Sequence, residues 1–449
     1  MPSPSSSINP LFNTFAHCLE RLRSSLGALD VEALARRSGF LHRRPRKVPM
    51  ADLAIAVVAA GAETLLSLER VAHWIGLAAH TSYSKQAFHK RLGPSIEPFL
   101  CELTTHLFGS FVAPLRCGGW LRPFKRVLLH DSTLQAVPEQ FCEAFAGPAN
   151  HRSKTQAALK IQCVSDLLQG RIVHLSLSGF RRNDQAAAAD ILKLVRAGDL
   201  ILRDLGYFSL GVLARLNALG AFFVTRWRRD LMLRDPRSDK LINLAQRLQK
   251  EARFDAQVWV GRLRLPMRLV ALAVPQEVAN LRRHRARTNR DRRLKPDRQD
   301  LALMNWNIFL TNVDQTLWPA QVLAQVYRLR WRVESIFKTW KSHLGLRHLN
   351  CHSVDLLRLS ALSKLLFCAS VVGCCDALQA RCTARRQISL LRMARSLAPC
   401  ALLISAMLLH LTPEACLKKD LQCHLFYEVR SDRLNFYQRL RSANTQTLG

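Results

Sequence analysis

The stretch that decides the fold reads RVLLHDST and occupies residues 126–133. Its apolar run predicts a buried strand that ends at Asp131. Similar β-rich runs follow at 160–165, 171–177, 200–203 and 221–225, and helical patterns cover 184–196 and 209–219. The link between the second and third runs is short and ends in Gln169 and Gly170, so these two runs form a hairpin. Early antiparallel strands followed by alternating helix and strand imply a mixed sheet with helices on both faces.

This order of elements is the one expected of a ribonuclease H-like core. Between Trp227 and Asn312 the alternation is lost, which indicates an insertion with β-like stretches at 258–265 and 269–274. A strand over 306–311 and a long helix beginning near Pro319 then resume the core. The expected fold class is therefore α/β: a ribonuclease H-like catalytic core interrupted by a β-rich insertion and flanked by helical N- and C-terminal regions.

The balance of charges indicates the kind of partner. The chain carries 66 Lys and Arg against 33 Asp and Glu, a formal net charge of +33. This excess favours a polyanion, most often nucleic acid, although ribosome-associated and membrane-surface proteins share it. The densest basic segment, residues 282–298, contains Arg283, Arg285, Arg287, Arg290, Arg292, Arg293 and Lys295. Such a block predicts a mobile arm that contacts DNA; a solvated linker is the alternative.

The changes of pattern predict five segments. They are a helical DNA-binding region (1–117), the first part of the core (118–227), the β-rich insertion with its basic arm (228–312), the catalytic helix that completes the core (313–354) and a helical C-terminal region (355–449). In the first, amphipathic segments at 68–77 and 84–92 are joined by a polar turn, and Ser84 can cap the second. This pair resembles a helix-turn-helix reader of a DNA groove, and an ordinary helical hairpin is an equally good interpretation.

Cysteines and apolar stretches indicate the compartment. The 13 cysteines include no CxxC pair, which is typical of reduced, buried thiols and makes a zinc site an unfavoured reading. The longest apolar stretches, 365–375 and 397–409, are too short to span a bilayer and predict buried helices. We therefore expect a soluble, cytoplasmic protein without a membrane partner.

Two aspartates stand directly after predicted buried strands. Asp131 ends the run at 127–130, and Asp204 ends the run at 200–203. Ligand sites of α/β sheets assemble at strand ends. A carboxylate there is costly unless a cation meets it, so two of them in one sheet favour a cation site. Each aspartate alone could instead cap a turn or helix.

A third acidic residue lies on the predicted long helix. At about 100° per residue, Tyr327, Arg330, Glu334 and Lys341 fall within an arc of roughly 60°. A separate, apolar face would pack on the sheet and comprises Val326, Leu329, Val333, Ile336, Phe337, Trp340 and Leu344. The alternative is a solvated ladder of ion pairs through Arg330, Glu334 and Lys338.

Carboxylate oxygens are the ligands that Mg²⁺ prefers. Three carboxylates from two strands and a helix, Asp131, Asp204 and Glu334, can hold two Mg²⁺ ions for an in-line displacement at phosphorus, with Mn²⁺ as a substitute. Arg330 and Lys341 would then hold DNA phosphates. Tyr327 would serve as a hydroxyl donor to DNA.

The spacing Tyr327-x2-Arg330-x3-Glu334-x6-Lys341 resembles the YREK motif of the DDE transposases, in the insertion-sequence-four group. The segments at 130–133 and 204–208 are similar to the first and second aspartate regions of that group. The resemblance covers residues from about 125 to 350. One departure is Leu205, where many relatives carry an arginine.

The resemblance implies a catalytic and metal-binding triad of Asp131, Asp204 and Glu334. It also implies contacts from Tyr327, Arg330 and Lys341 to the transposon end. A tryptophan of the insertion stacks on a flipped base during hairpin formation in this group, and Trp306 stands at the corresponding place. A core strand aromatic is the alternative for Trp306.

The implied function is that of a DNA transposase. It would hydrolyse a phosphodiester at the transposon end and transfer the resulting 3′-OH, by cut-and-paste and through a hairpin. Its partners would be duplex DNA with terminal inverted repeats, target DNA and a second copy of the chain, in the bacterial nucleoid. The alternatives are an inactive or domesticated transposase that regulates by binding DNA, a nuclease of the same fold, and a basic RNA-binding structural protein.

Overall fold

The computed structural model of the chain describes residues 9–81, 83–109, 119–148, 156–251, 253–289, 295–349, 351–382, 386–410, 426–428 and 438–439. It divides into two compact units. The first unit comprises Met1–Arg116, Asp131–Asn183 and Trp331–Tyr437, and the second comprises Cys117–His130, Asp184–Arg330 and Gln438–Gly449.

The strands lie mostly in the middle of the chain. They are β1 (Val127–Val137), β2 (Ala157–Asp166), β3 (Arg171–Gly179), β4 (Leu200–Arg203), β5 (Phe222–Arg226), β6 (Leu233–Arg234), β7 (Arg253–Val260), β8 (Leu265–Ala273), β9 (Trp306–Thr311), β10 (Arg386–Ile388) and β11 (Phe426–Glu428).

Helices occupy both ends of the chain and the connections between strands. They are α1 (Asn9–Ala28), α2 (Val31–Arg37), α3 (Met50–Ala60), α4 (Leu68–Ala78), α5 (Lys85–His89), α6 (Ile96–Gly109), α7 (Leu210–Ala218), α8 (Leu244–Lys250), α9 (Gln276–Arg287), α10 (Arg298–Leu303), α11 (Ala320–Arg328), α12 (Trp331–Ser342), α13 (Val354–Gln379), α14 (Leu390–Leu397) and α15 (Ala401–Leu408).

The strand order is that of a ribonuclease H-like sheet, which confirms the expected fold class. The order is β3-β2-β1-β4-β5-β9-β8-β7-β6, and β1 runs from the second unit into the first at Asp131. β2 and β3 are antiparallel, whereas β1 pairs in parallel with β4 and β4 with β5. The β-rich insertion continues the sheet, since β9 pairs antiparallel with β5 and β8 with β9.

The parallel strands form because their side chains are apolar on both faces, as buried parallel strands require. All of β4 is buried, and so are the first four residues of β1. Directly before these strands, the buried Arg126 guanidinium donates to the Asp199 carboxylate at 2.5 Å. This pairing offsets the cost of removing both charges from water at the start of two core strands.

The core of the first unit is built around α13, whose residues are nearly all buried. α1, α3 and α6 contact it. Two helical stretches, 354–379 and 390–408, are long and apolar enough to cross a membrane. In the first, however, 94% of the apolar 18-residue segment is buried inside the protein. The second is interrupted by a 3₁₀ turn at Ala398–Cys400. The expected buried helix at 365–375 is confirmed, but it is part of a much longer helix than the apolar run suggested.

Several local expectations hold. The strands at 200–203 and 306–311 have the predicted bounds. α4 forms as expected, whereas α5 is shorter than the expected segment at 84–92 and ends at His89. The Ser84 side chain caps α5, as predicted, by accepting from the Ala87 amide. The cysteines that the structure describes are free thiols, most of them buried.

Three expectations are wrong. Asp131 does not end its strand, because polar and buried residues alternate onward to Val137 and keep β1 extended. The helix expected at 184–196 is only a 3₁₀ helix at Ala188–Lys193. The basic arm is not a mobile arm where it is described: residues 282–287 belong to α9, because Arg282 and Arg283 find protein acceptors. Arg290, Arg292 and Arg293 lie outside the described residues.

Candidate active site

Asp131 lies within β1, directly after its four buried residues. Its side chain is half-buried, and Oδ1 accepts a hydrogen bond from the Ser132 amide at 2.8 Å. Burial raises the pKa of the Cys163 thiol on β2, and the Asp131 charge raises it further. The first aspartate therefore lies within the sheet, close to Cys163 of the neighbouring strand.

Asp204 directly follows β4, as predicted, and precedes a 3₁₀ helix at Leu205–Tyr207. Its side chain is 48% exposed, and the Arg330 guanidinium lies beside it, with Nη2 at 3.9 Å from Oδ1. The preceding residue, Arg203, is buried and donates to the Ala188 carbonyl at 2.8 Å. Burial lowers the pKa of Arg203 to about 10. The Asp204 carboxylate is thus accessible to solvent, whereas the residue before it is fixed by burial and a hydrogen bond.

The long helix expected to carry the motif is two helices. α11 ends at Arg328 and α12 begins at Trp331. Between them the Leu329 and Arg330 amides donate to the carbonyls three residues earlier, which tightens the last turn. The predicted arrangement of all four motif residues along one helical strip is therefore wrong. Tyr327 and Arg330 belong to the second unit, and Glu334 and Lys341 to the first.

Tyr327 is buried, contrary to the expected position away from the packed face. Its hydroxyl donates to the Arg203 carbonyl at 3.2 Å, and its ring lies 5.2 Å from that of Phe309. The Arg330 guanidinium lies over the same ring at 5.9 Å. Burial raises the pKa of Tyr327 to about 12. The tyrosine therefore contacts the residue that immediately precedes Asp204.

Glu334 and Lys341 lie on α12, whose predicted apolar face is buried, whereas Trp331 at its start is exposed. Glu334 is half-buried. The Lys341 ammonium donates to the Leu134 carbonyl of β1 at 2.6 Å. Burial lowers the pKa of Lys341, and the charge of Arg347 adds to this. Besides the Lys341 hydrogen bond, a buried ion pair between Arg332 of α12 and Asp376 of α13 holds this helix in place.

Trp306 is the half-buried first residue of β9. The Arg282 guanidinium donates to the Trp306 carbonyl at 3.1 Å and to the Asn307 side-chain oxygen at 2.7 Å. Arg283 donates to the Asn305 side chain at 2.5 Å. Sequence reasoning missed this role of α9 because the partners are more than 20 residues apart and no local pattern links them.

A sheet of this order, with an acidic residue within β1, another directly after β4 and a YREK motif beyond a β insertion, defines a polynucleotidyl transferase of ribonuclease H-like fold. The chain belongs to the family described as Transposase DDE domain, whose model matches residues 122–370, more than half of the chain. It is a DNA transposase of the insertion-sequence-four group, a metal-dependent enzyme that cuts and joins DNA.

Its relatives support this assignment. The chain is 25% identical over 365 residues to the transposase for insertion sequence element IS231B of Bacillus thuringiensis subsp. berliner, covering 74% of this chain and 76% of the relative. It is 24% identical to the transposase for IS1151 of Clostridium perfringens, covering 72% of each. Among solved structures, the piggyBac transposase synaptic complex with hairpin DNA matches at TM-score 0.41 and 9% identity, over 88% of this chain and 80% of that chain. The fold assignment rests on the strand order and the family match.

Proposed function

We propose that Asp131, Asp204 and Glu334 are the catalytic residues of this transposase and together hold two Mg²⁺ ions, for which Mn²⁺ substitutes. The observation that carries the proposal is the strand register: His130 of β1 pairs with Arg203 of β4. Asp131 and Asp204 are the next residue along each of these parallel chains. The spacing of Glu334 within the YREK motif supplies the third carboxylate.

The donor chemistry fits a hard divalent ion. All three side chains are carboxylates, and the Asp204 side chain is 48% exposed and so accessible to an ion and to phosphate oxygens. Among the residues that the structure describes, no group of three or more His, Cys, Asp or Glu side chains stands at metal-binding spacing. We therefore propose the ligands by residue and donor type, without a coordination geometry. When bound, divalent ions would activate water and stabilise charge on the attacking and leaving oxygens.

The reaction that we propose has two steps. Water attacks phosphorus at the transposon end, the P–O3′ bond breaks, and the terminal 3′-OH is released. That hydroxyl then attacks a second phosphodiester, which forms a new P–O bond and expels another 3′ oxygen. Attack on the opposite strand gives a hairpin, and attack on target DNA gives integration.

DNA contacts are proposed for Arg330, Lys341, Tyr327 and Trp306, and for the exposed basic residues of α9. Arg330 lies beside the accessible Asp204, although its own side chain is buried. Stacking of a flipped base on Trp306 is supported by its half-exposed position at the start of β9. The helix-turn-helix reading of α4 and α5 and the division into five segments remain predictions.

The wider assembly is also proposed. The relatives are transposases for insertion sequence elements of bacteria, which favours terminal inverted repeats and target DNA as substrates. A homodimer would bring two ends together, in a cytoplasmic, nucleoid-associated complex. An inactive or domesticated transposase that regulates by binding DNA is the alternative function.

The test is cleavage of a labelled duplex that carries one terminal repeat, in Mg²⁺ and in Mn²⁺. Glu334→Ala is compared with wild type and with Glu32→Ala, which removes a carboxylate from a surface ion pair on α2. We expect a nick at the repeat boundary from wild type and Glu32→Ala, and none from Glu334→Ala. A hairpin or joined product distinguishes a transposase from a nuclease.

Two outcomes would contradict the proposal. Cleavage by Glu334→Ala at the wild-type rate would remove Glu334 from the triad. If wild type and Glu334→Ala bind the repeat equally and neither cuts paired ends, the regulator is the better interpretation.

A further inference from the structure

The connection between α2 and α3 presents several cations to solvent. Residues 42–47 of this connection read HRRPRK and are called the basic loop below. The four permanent cations of the loop are all exposed: Arg43, Arg44, Arg46 and Lys47. Within the part of the chain that the structure describes, none of these four side chains forms an ion pair. Four like charges within five residues repel one another unless an anion neutralises them.

Both ends of the basic loop are fixed to the core of the first unit. Phe40 and Leu41 are buried, and both amides donate to one carbonyl of α2 at 2.9 Å. The Phe40 ring stacks on that of Phe99 of α6, with 4.6 Å between the ring centroids. Val48, at the other end, is 1% exposed. Because both ends are held and Pro45 restricts the backbone between them, the loop binds an anion at a smaller entropic cost than a mobile arm would.

The helix-turn-helix reading of α4 and α5 offers a competing DNA contact, but α5 has little free charge. It has five residues, which is about 7.5 Å of helix. Lys85 forms an ion pair with Glu69 of α4 at 2.5 Å, and Phe88 is buried. Beyond that pair, α5 and its C-cap present His89 and Lys90 as exposed basic groups. The basic loop therefore offers more unneutralised positive charge than α5 does.

The charge and shape of the basic loop fit the backbone of duplex DNA. Residues 43–47 span at most about 18 Å when fully extended. A duplex carries one phosphate charge per about 1.7 Å of its axis, so about ten charges lie along that length. The loop is neither a helix nor a two-stranded ribbon, the elements that the major groove admits. Contact with phosphates, without reading of base edges, is the binding mode that such a loop fits.

We propose that the basic loop binds the phosphate backbone of duplex DNA independently of sequence. The loop, and not α5, is then the main electrostatic DNA contact of the N-terminal helices. This inference rests on the proposed function, because it takes DNA as the substrate. It goes beyond that function by assigning Arg43, Arg44, Arg46 and Lys47 to DNA binding, a role that requires neither a metal ion nor strand cleavage.

The test measures how the DNA affinity of the full chain depends on salt, in EDTA so that no strand is cut. The double variant Arg43→Gln/Arg44→Gln removes two charges from the loop. Arg36→Gln/Arg37→Gln is the matched control, because it removes two exposed charges from the end of α2, where each side chain lies near a carboxylate. Each phosphate contact contributes about 0.9 to the slope of log K against log salt. We expect the loop variant to reduce this slope by about 1–2 and the control to leave it nearly unchanged.

A second comparison tests the loop against α5. Arg46→Gln and Lys90→Gln are each measured on the terminal-repeat duplex and on an unrelated duplex of equal length. We expect Arg46→Gln to weaken binding to both duplexes by the same factor, within about twofold, because a phosphate contact carries no sequence information. Lys90→Gln should change neither affinity. Unfolding temperatures should match wild type for every variant, because exposed side chains away from the core contribute little to stability.

Three results would overturn the inference. The first is a slope that falls no further in Arg43→Gln/Arg44→Gln than in the α2 control. The second is a larger loss of slope for Lys90→Gln than for Arg46→Gln, which would assign the contact to α5. The third is a loss of affinity for the terminal repeat alone, which would make the loop a reader of bases.

Cleavage assays distinguish this failure from that of the proposed function, because binding in EDTA does not need the three carboxylates. A wild type that binds DNA through the loop but never cuts it supports the inference and removes the catalytic proposal. A wild type that cuts DNA, with the loop variant and its control equal in slope, overturns the inference alone. If wild type does not bind DNA, both proposals fall.

Discussion

Replacing Arg268 with methionine should destabilise the second unit strongly. The Arg268 side chain is 2% exposed and forms a bidentate pair with Asp255, at 2.7 and 2.8 Å. It also donates to the Trp318 carbonyl at 2.7 Å, just before α11 begins. The methionine fills much of the volume but leaves the 6%-exposed Asp255 carboxylate without its cation.

The expected size follows from that burial. Removing one partner of a buried ion pair costs about 3–5 kcal/mol, because the remaining charge stays out of water. For a body of this size, each kcal/mol lowers the unfolding temperature by about 2–4 °C. The unfolding temperature of the second unit should therefore fall by about 6–20 °C. Adding Asp255→Leu should restore part of the loss, because it removes the orphaned charge.

Differential scanning calorimetry measures the effect, with Arg264→Met as the matched control. Arg264 precedes the same strand and pairs with Asp239, but its side chain is 54% exposed. A solvated pair contributes only about 0–1 kcal/mol. If Arg268→Met lowers the unfolding temperature no more than Arg264→Met does, the argument from charge burial is refuted.

Three further predictions follow from the packing and the charges. Gly61→Ala should lower the free energy of unfolding by about 1–3 kcal/mol, because a methyl group there would overlap the backbone of α13. Gly27→Ala meets open space and should be neutral or stabilising, so equal effects of the two changes in a denaturant titration would contradict this. Burial raises the pKa of Tyr327 from about 10 to about 12, so its contribution to stability is complete below pH 10 and is lost as the pH rises toward 12. An ultraviolet difference titration of wild type against Tyr327→Phe should show one tyrosinate forming near pH 12, and a step near pH 10 would disprove the burial. Arg285→Ala, on the exposed side of α9, should reduce the slope of log K for DNA binding against log salt by about 0.9. Arg282→Ala should instead lower the unfolding temperature and leave that slope unchanged. A binding titration in which only Arg282→Ala changes the slope would exchange the roles of the two residues.

Much of the site could be located from the sequence. The runs at 200–203 and 306–311 predicted strands with the observed bounds, since apolar β-rich runs are a local signal. The spacing of the YREK motif and the aspartate after β4 are properties of the chain itself. The apolar residues of α12 were predicted correctly for the same reason, since helical periodicity determines which side chains share a face.

Other features depended on contacts between distant residues. The Tyr327 hydroxyl meets a carbonyl 124 residues earlier, and Lys341 meets one 207 residues earlier. The basic segment around Arg282 forms a helix that contacts the sheet, because the hydrogen-bond acceptors of Arg282 lie at the start of β9. The break between α11 and α12 likewise could not be predicted from the hydrophobic periodicity of the segment.

By itself, the sequence therefore determined which segments become strands and helices, the overall positive charge and the identity of the acidic residues. Only the tertiary structure decided which donors are used inside the protein and which remain exposed. The physical reason is that local patterns depend on neighbours within one or two turns. The partner of a buried polar group, by contrast, is chosen by the packing of the whole chain, where leaving that group without a hydrogen bond would cost about 1–3 kcal/mol.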